Sequence, residues 1–349
     1  MSVQHHPAFD QHDEVAFFHD AASGLRAIIA VHRFWGQPSV GGCRLRDYAT
    51  EDDALADVLR LSRGMTYKSV MAGLAYGGAK AVIIGVPEES RRTAIMRAMA
   101  RVVHRYGGRF RTGVDLGIRP ADIDLMQAET PFVFGNAATP PSNATADGLL
   151  VSIKAAVRHR LSRPTLRGVQ VAVQGLGKVG MRVAILLVRE GAKVVVGDVD
   201  VQRAERARQE LGAAIIQPDR LHAAEVDLFC PCALGGVLND RTIAGLQASI
   251  VVGAANNQLA ESRHGDMLRQ RGVLYAPDYV VNAGGLIAVA GELENRPEGW
   301  IRSKIDGLAP TLDRVFDDAE RRGSSTSVAA DRLAEERIEA IEASLRSAA

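Results

Sequence analysis

The chain of 349 residues is longer than one ordinary domain, and its 47% hydrophobic content is enough for two cores. With 42 Lys and Arg against 41 Asp and Glu, the net charge of +1 excludes a long-range pull toward nucleic acid or an anionic membrane, so a small molecule is the expected partner. Three cysteines, Cys43, Cys230 and Cys232, are too few for a disulfide framework and fit a reducing compartment.

The polar start MSVQHHPAFDQHDE lacks the cationic and apolar segments of a secretory signal, and no apolar run approaches the roughly 20 residues of a membrane span. A cytoplasmic protein is expected. From Val15 to Phe34, two β-rich runs flank Asp20-Ala-Ala-Ser-Gly24, the pattern of a hairpin. Thr50 and Asp53 then form a capping-box pair, and Leu55, Val58, Leu59 and Ser62 recur at helical spacing, which predicts a helix running toward Met65. A short apolar strand over Ala81 to Ile84, a helix from Glu88 to Tyr106 and a strand from Arg109 to Val114 complete an α/β first domain over residues 1–135.

Between Gly135 and Asn143 the stretch NAATPPSN supports neither helix nor central strand and is read as the domain boundary. Leu150, Ile153, Val157 and Leu161 mark the next helix. The runs VQVAVQ, KVVVGD, AAIIQ, VDLFC, SIVVGA and VLYAPD then alternate with helical segments. Such apolar strands imply a parallel sheet covered on both faces, a doubly wound Rossmann domain over residues 143–315. The Ala-, Glu- and Arg-rich tail, 325–349, is predicted to be helical and to pack back on the first domain. Cys230-Pro231-Cys232 reads as strand-end packing, and no metal ligand set is expected.

Gly175-Leu176-Gly177-Lys178-Val179-Gly180 follows a strand and opens a helix, the setting in which such a glycine pattern binds a dinucleotide. The first glycine permits the turn, the second admits the pyrophosphate and the third lets helix meet sheet, while the helix N-terminus offers free N–H groups. Asp198 stands 18 residues past Gly180, where a carboxylate accepts from ribose hydroxyls and repels a 2′-phosphate. NAD is therefore favoured over NADP, with nearby Arg203 leaving room for use of both.

Six further motifs carry a resemblance. Gly41-Gly42-Cys43-Arg44, Gly64-Met65-Thr66-Tyr67-Lys68, Gly77-Gly78-Ala79-Lys80, Thr112-Gly113-Val114-Asp115, Ala254-Ala255-Asn256-Asn257 and Asn282-Ala283-Gly284-Gly285 stand in order from about Val15 to about Ile338. In order and approximate spacing they closely resemble the leucine, phenylalanine and valine dehydrogenases of the glutamate dehydrogenase superfamily. The resemblance implies an N-terminal α/β catalytic domain, a Rossmann domain and a cleft between them. It makes Lys80 the general acid and base, Lys68 the anchor of the substrate α-carboxylate, and Asp115 the group that orients the amino nitrogen. A lysine beside another cation gives up its proton more readily, so Lys68 is expected to help Lys80 serve as a base.

By the same resemblance Thr145, Ala254, Asn256 and Asn282 lie near the nicotinamide end of NAD, and Asn257 lies near the substrate. Val40 and Val289 stand where glutamate dehydrogenases place a lysine and a hydroxyl for the side-chain carboxylate, which argues against glutamate. With Gly41, Gly42, Met65 and Leu286 they are expected to form an apolar substrate pocket. The implied reaction is oxidative deamination of an apolar L-amino acid to a 2-oxo acid and ammonium, with leucine, valine or isoleucine preferred. Phenylalanine or tryptophan is the alternative within the family. A non-catalytic NAD-binding sensor is the rival class, but no fold requirement calls for Lys68, Lys80 and Asp115 together. A homo-oligomer built through the first domain is implied, a dimer ahead of an octamer.

Overall fold

The computed structural model describes residues 2–135 and 140–348, which fall into two compact units. The first comprises Met1–Ala137 with Arg337–Ala349, and the second Ala138–Glu336. The boundary read from the prolines lies partly, at residues 136–139, outside the described residues.

Unit 1 opens with the hairpin of β1 (Glu14–Asp20) and β2 (Leu25–Val31), paired antiparallel from Glu14↔Val31 to Asp20↔Leu25. β3 (Ser39–Val40) and β4 (Cys43–Arg46) follow, then helix α1 (Glu51–Met71), whose Thr50–Asp53 capping box is present with both bonds made. The helix continues six residues beyond Met65, straight through Gly64. A glycine inside a helix costs about 1 kcal/mol, and burial of Thr66, Tyr67, Val70 and Met71 outweighs it.

β5 (Ala79–Ile84), α2 (Glu89–Arg105), β6 (Phe110–Arg111) and α3 (Pro120–Gln127) complete this part of the unit. The strand expected over Arg109 to Val114 shrinks to β6, because only Phe110 and Arg111 find a regular partner, in β3. The main sheet has the order β1-β2-β5-β4. Strand alternation divides its core between two faces: Ala27, Ile29, Val31, Ala81 and Ile83 join Met96, Met99 and Val103 of α2, whereas Ile28, Ala30 and Val82 join Ala54, Leu55, Val58 and Leu59 of α1.

Unit 2 begins with α4 (Pro141–Leu161), which starts inside the stretch read as non-helical. A proline in the first turn lacks an N–H that would be unpaired anyway, so Pro141 opens the helix without loss. Next come β7 (Gln170–Gln174), α5 (Lys178–Arg189), β8 (Lys193–Gly197), α6 (Val201–Leu211), β9 (Ala214–Ile215), β10 (Leu228–Pro231), α7 (Asp240–Gly245), β11 (Ile250–Val251), α8 (Arg263–Gln270) and β12 (Leu274–Tyr275). The six strands are parallel in the order β12-β11-β10-β7-β8-β9, a doubly wound sheet whose direction of winding reverses between β7 and β10.

Helices α9 (Asp278–Val281), α10 (Gly284–Leu293), α11 (Glu298–Asp306) and α12 (Leu308–Arg322) follow, and the chain ends in α13 (Thr326–Ala348). From Arg337 onward α13 belongs to unit 1, where Arg337 donates to the carbonyls of Val70 and Met71, and Glu342 pairs with Arg33 at 3.2 Å. Among the described residues no helix is long and apolar enough to cross a membrane.

Candidate active site

Alternation along β5 turns Lys80 toward the α1 side of the sheet, in the row of Val82, and alternation along β4 turns Arg44 the same way. Lys80 is only 5% exposed, a place where an ammonium group needs a partner. The partner is Asp115, whose Oδ2 meets Lys80 Nζ. Asp115 Oδ1 accepts the Leu116 N–H at 2.6 Å, and Arg44 Nε stands 3.6 Å from Oδ2. Burial pushes the Asp115 carboxyl up, but the charges of Lys80 and Arg44 prevail and hold it below the usual carboxylate range.

Gly41 and Gly42 make this approach possible. A Cβ on Gly42 would come within 2.8 Å of Asp115 Cβ, and one on Gly41 would overlap the Ala79 carbonyl. Val40, buried in β3, donates its N–H to Gly77 O at 2.9 Å. Gly78 N–H donates to Thr66 Oγ1 at 2.8 Å, tying α1 to β5 two residues upstream of Lys68 and of Lys80 respectively. Lys68 and Met65 are both half-buried on α1. Val40, Gly41, Gly42, Lys80 and Asp115 are thus neighbours within unit 1, and Met65 and Lys68 lie on α1, which the Gly78–Thr66 bond ties to β5.

In unit 2 the glycine loop has the form its sequence predicts. Gly175 takes φ +91°, against Ala233 in the loop that follows β10, so the loops after β7 and β10 adjoin where the winding reverses. A Cβ on Gly180 would overlap the Gly175 carbonyl, while one on Gly177 would meet nothing within 4 Å. Lys178 and Val179 open α5. A cavity of about 440 Å³ beside the loop is lined by Leu176, Gly177, Lys178, Arg182 and Arg203 among others. Asp198 turns inward to the loop: Oδ2 accepts the Leu176 N–H at 2.5 Å, and Oδ1 accepts the Asp200 N–H at 2.8 Å.

Three more segments of unit 2 converge. Gly284 is so close to the Ala144 carbonyl that a Cβ would overlap it, and a Cβ on Gly285 would sit 2.9 Å from Thr145 Oγ1. Thr145 Oγ1 donates to Pro141 O at 2.8 Å. Asn282 Nδ2 donates to Ala254 O at 3.2 Å and to Asn256 Oδ1 at 2.8 Å, while Asn257 has φ +51°. Asn282 Oδ1 is buried and lacks a hydrogen-bond partner among the described residues, as a ligand-facing acceptor would. The bare glycine backbone, the open end of α5 and this acceptor together fit a dinucleotide. Leu286 and Val289, three residues apart on α10, are both buried.

Sequence reasoning passed over Asp57 and Tyr48 and gave Arg44 no role. Arg44 Nη1 donates to Asp57 Oδ2 at 2.9 Å, and the Tyr48 hydroxyl donates to the same oxygen at 2.6 Å. The available signal was an acid on the apolar stripe of α1, one residue before Val58. Cys230 and Cys232 are unpaired thiols with sulfurs 3.6 Å apart, Cys230 buried in β10. Asp240, Glu261 and His264 bring three potential metal ligands together, but Arg263 already bridges both carboxylates at 2.6 and 2.9 Å.

Residues 11–132 match the model of the Glu/Leu/Phe/Val dehydrogenase dimerisation domain, and residues 140–202 and 196–340 match that of glutamate/leucine/phenylalanine/valine dehydrogenase. Leucine dehydrogenase of Thermoactinomyces intermedius is 43% identical over 334 residues, spanning 94% of this chain and 91% of the relative. L-tryptophan dehydrogenase of Nostoc punctiforme is 44% identical over 330 residues, spanning 94% and 93%. A crystal structure of the Nostoc punctiforme L-tryptophan dehydrogenase superposes with a TM-score of 0.82 at 41% identity, covering 95% of this chain and 96% of that one. The chain belongs to the glutamate/leucine/phenylalanine/valine dehydrogenase family of amino-acid dehydrogenases.

Proposed function

We propose that the protein catalyses the reversible NAD-dependent oxidative deamination of an apolar L-amino acid, with leucine, valine or isoleucine preferred. The observation that carries this reading is the buried Lys80–Asp115 contact beneath Gly42, in a chain whose two units both match amino-acid dehydrogenases. An ammonium and a carboxylate in contact, away from bulk water, can exchange a proton with a substrate held between them. Lys68 binds the substrate α-carboxylate, and Asp115 receives its amino group. Neutral Lys80 Nζ takes a proton from the water that adds to the oxidised α-carbon and returns it to nitrogen; as the C–N bond breaks, Lys80 takes the hydroxyl proton and passes it to the departing ammonia. Ammonium and the 2-oxo acid leave.

The backbone of Gly175, Leu176, Gly177, Lys178, Val179 and Gly180 would hold the cofactor pyrophosphate at the start of α5, and Asp198 would take the adenosine ribose. Thr145, Ala254, Asn256 and Asn282 would hold the other end. When bound, the dinucleotide supplies the acceptor for the hydride that leaves the substrate α-carbon. A carboxylate at Asp198 disfavours a 2′-phosphate, which supports NAD over NADP.

Val40 and Val289 are each proposed to contact the substrate side chain, and neither could pair with a second carboxylate. Met65, Leu286 and Asn257 complete the proposed substrate contacts. The aromatic alternative is favoured by one specific fact, the match to an L-tryptophan dehydrogenase at 44% identity. A homo-oligomer, a dimer ahead of an octamer, is proposed because residues 11–132 match a dimerisation domain. Three unpaired cysteines fit a reducing cytoplasm.

The test follows reduced-nicotinamide absorbance with a panel of L-amino acids. The highest kcat/KM is expected for a branched aliphatic substrate. A higher value for phenylalanine or tryptophan transfers the assignment to the aromatic reading, and dinucleotide binding without reduction by any amino acid leaves only a sensor.

A further inference from the structure

Behind the Lys80–Asp115 contact lies a row of charged groups that the proposed deamination steps do not use. Asp57 on α1 and Arg44 on β4 extend the row beyond Asp115, in the turn after β6, and Lys80 on β5; the four alternate in sign, with side chains 15%, 13%, 21% and 7% exposed respectively. Arg44 is fixed at its far end by the 2.9 Å bond to Asp57, and Asp57 is fixed in turn by the Tyr48 hydroxyl. At its near end, Nε is 3.6 Å from Asp115 Oδ2, the oxygen that meets Lys80. That separation exceeds a hydrogen bond, but Coulomb attraction still acts across it in a site shielded from water.

We propose that Arg44, anchored by Asp57 and Tyr48, is the positioning residue that keeps Asp115 ionised and oriented while Lys80 gives up and recovers its proton. The inference rests on the roles proposed for Lys80 and Asp115. A general base must be neutral for part of each turnover, and at that moment Lys80 no longer balances Asp115. Arg44 then supplies the remaining positive charge against a carboxylate that burial would otherwise protonate. Its own charge is secure: burial works against it, but Asp115 and Asp57 outweigh burial and push its pKa up.

Lys68, on α1, is the cation proposed to hold the substrate α-carboxylate, and the other groups around the row are neutral or already paired. Burial pushes the Cys43 thiol up to about 12, leaving it neutral. Burial and the bond to Asp57 push the Tyr48 phenol up, so it remains a donor. Arg46 lies over the Tyr48 ring, 5.4 Å from its centroid, and Asp122 is bound twice by Arg92, at 2.9 and 2.5 Å.

The experiment compares pH profiles of kcat and kcat/KM for the full chain, Arg44→Met, Arg44→Lys and Asp57→Asn, using the best amino acid of the panel. Removing a positive charge disfavours every anion and favours every cation nearby, so the acid limb of Arg44→Met should move upward by about one pH unit. Its kcat should fall by roughly 10²-fold, as misplaced catalytic groups do, with a much smaller change in KM. Arg44→Lys keeps the charge and should recover part of kcat and most of the limb position. Asp57→Asn removes a negative charge, so its limb should stay or move downward. Unshifted profiles in folded Arg44→Met and Arg44→Lys enzymes, or equal losses in both, overturn the proposal. Lys80→Ala and Asp115→Asn are run alongside. Retained deamination in these two sinks the underlying reading, whereas their inactivity with wild-type profiles in the Arg44 variants sinks the Arg44 role alone.

Discussion

Asp198, at the end of β8, accepts the backbone N–H of Leu176, the residue between the first two glycines of the loop after β7, at 2.5 Å. The carboxylate thereby shapes the loop, in addition to its proposed role toward a ribose. A hydrogen bond to a charged group contributes about 1.5–3 kcal/mol, so Asp198→Ala should weaken NAD binding by tenfold or more. Titration by reduced-nicotinamide fluorescence checks this. An unchanged dissociation constant would remove Asp198 from the cofactor site.

The Lys80–Asp115 contact should respond unequally to loss of either partner. Lys80→Ala leaves Asp115 facing Arg44, so its charge stays balanced. Asp115→Ala leaves Lys80 and Arg44 as neighbouring buried cations and deprives the Leu116 N–H of its acceptor. Removing one member of a buried pair costs about 3–5 kcal/mol, and Arg44 should place Lys80→Ala below that range. Both variants should lose roughly 10²–10⁴ in kcat. Thermal melts beside turnover assays test the pairing, and equal melting losses would contradict it.

The parts legible in the sequence are those governed by local chemistry. The hairpin at Asp20–Gly24, the Thr50–Asp53 cap and the strand–glycine loop–helix around Gly175 are each determined within a few residues, and the structure has all three. What escaped depends on distant partners. The run Arg109–Val114 has strand character, but β3 is only two residues long and cannot pair with more of it. The helical α4 begins at Pro141 because a proline is harmless in a first turn, a point that composition alone obscures. Arg44 and Asp57 stand 13 positions apart on the consecutive elements β4 and α1, and nothing in their spacing announces a bond. The inward turn of Asp198 onto Leu176 is equally invisible until β7 and β8 are set side by side.

Acid stability should decline in two stages through unit 1. Burial, reinforced by the charge of His32, pulls His12 down from 6.5 to about 4. A histidine depressed in this way contributes stability that is complete above 6.5 and is lost as pH falls from 6.5 toward 4, because the unfolded chain then binds the extra proton. The His32 hydrogen bond, and the Arg63 pair working against burial, hold Asp10 well below the carboxylate range, so a second loss begins near 3.8. Melting temperature against pH should fall through the first window, and His12→Gln should flatten that slope while preserving the lower one. A slope unaffected by the substitution would assign the first stage to another group.

Val289 offers a direct reading of substrate choice. It is 6% exposed on α10, one turn after Leu286, so truncation opens space in the apolar wall proposed for the substrate side chain. In such a wall each methylene of difference contributes about 1–3 kcal/mol, which permits a change of roughly tenfold between related side chains. Val289→Ala should therefore raise kcat/KM for phenylalanine relative to leucine by about tenfold, with the leucine value falling as its contacts thin. The ratio, rather than either constant alone, is the informative quantity, because general damage to the enzyme lowers both together. If the ratio stays at the wild-type value while the melting temperature drops, Val289 serves the packing of α10 and the specificity wall must be sought elsewhere.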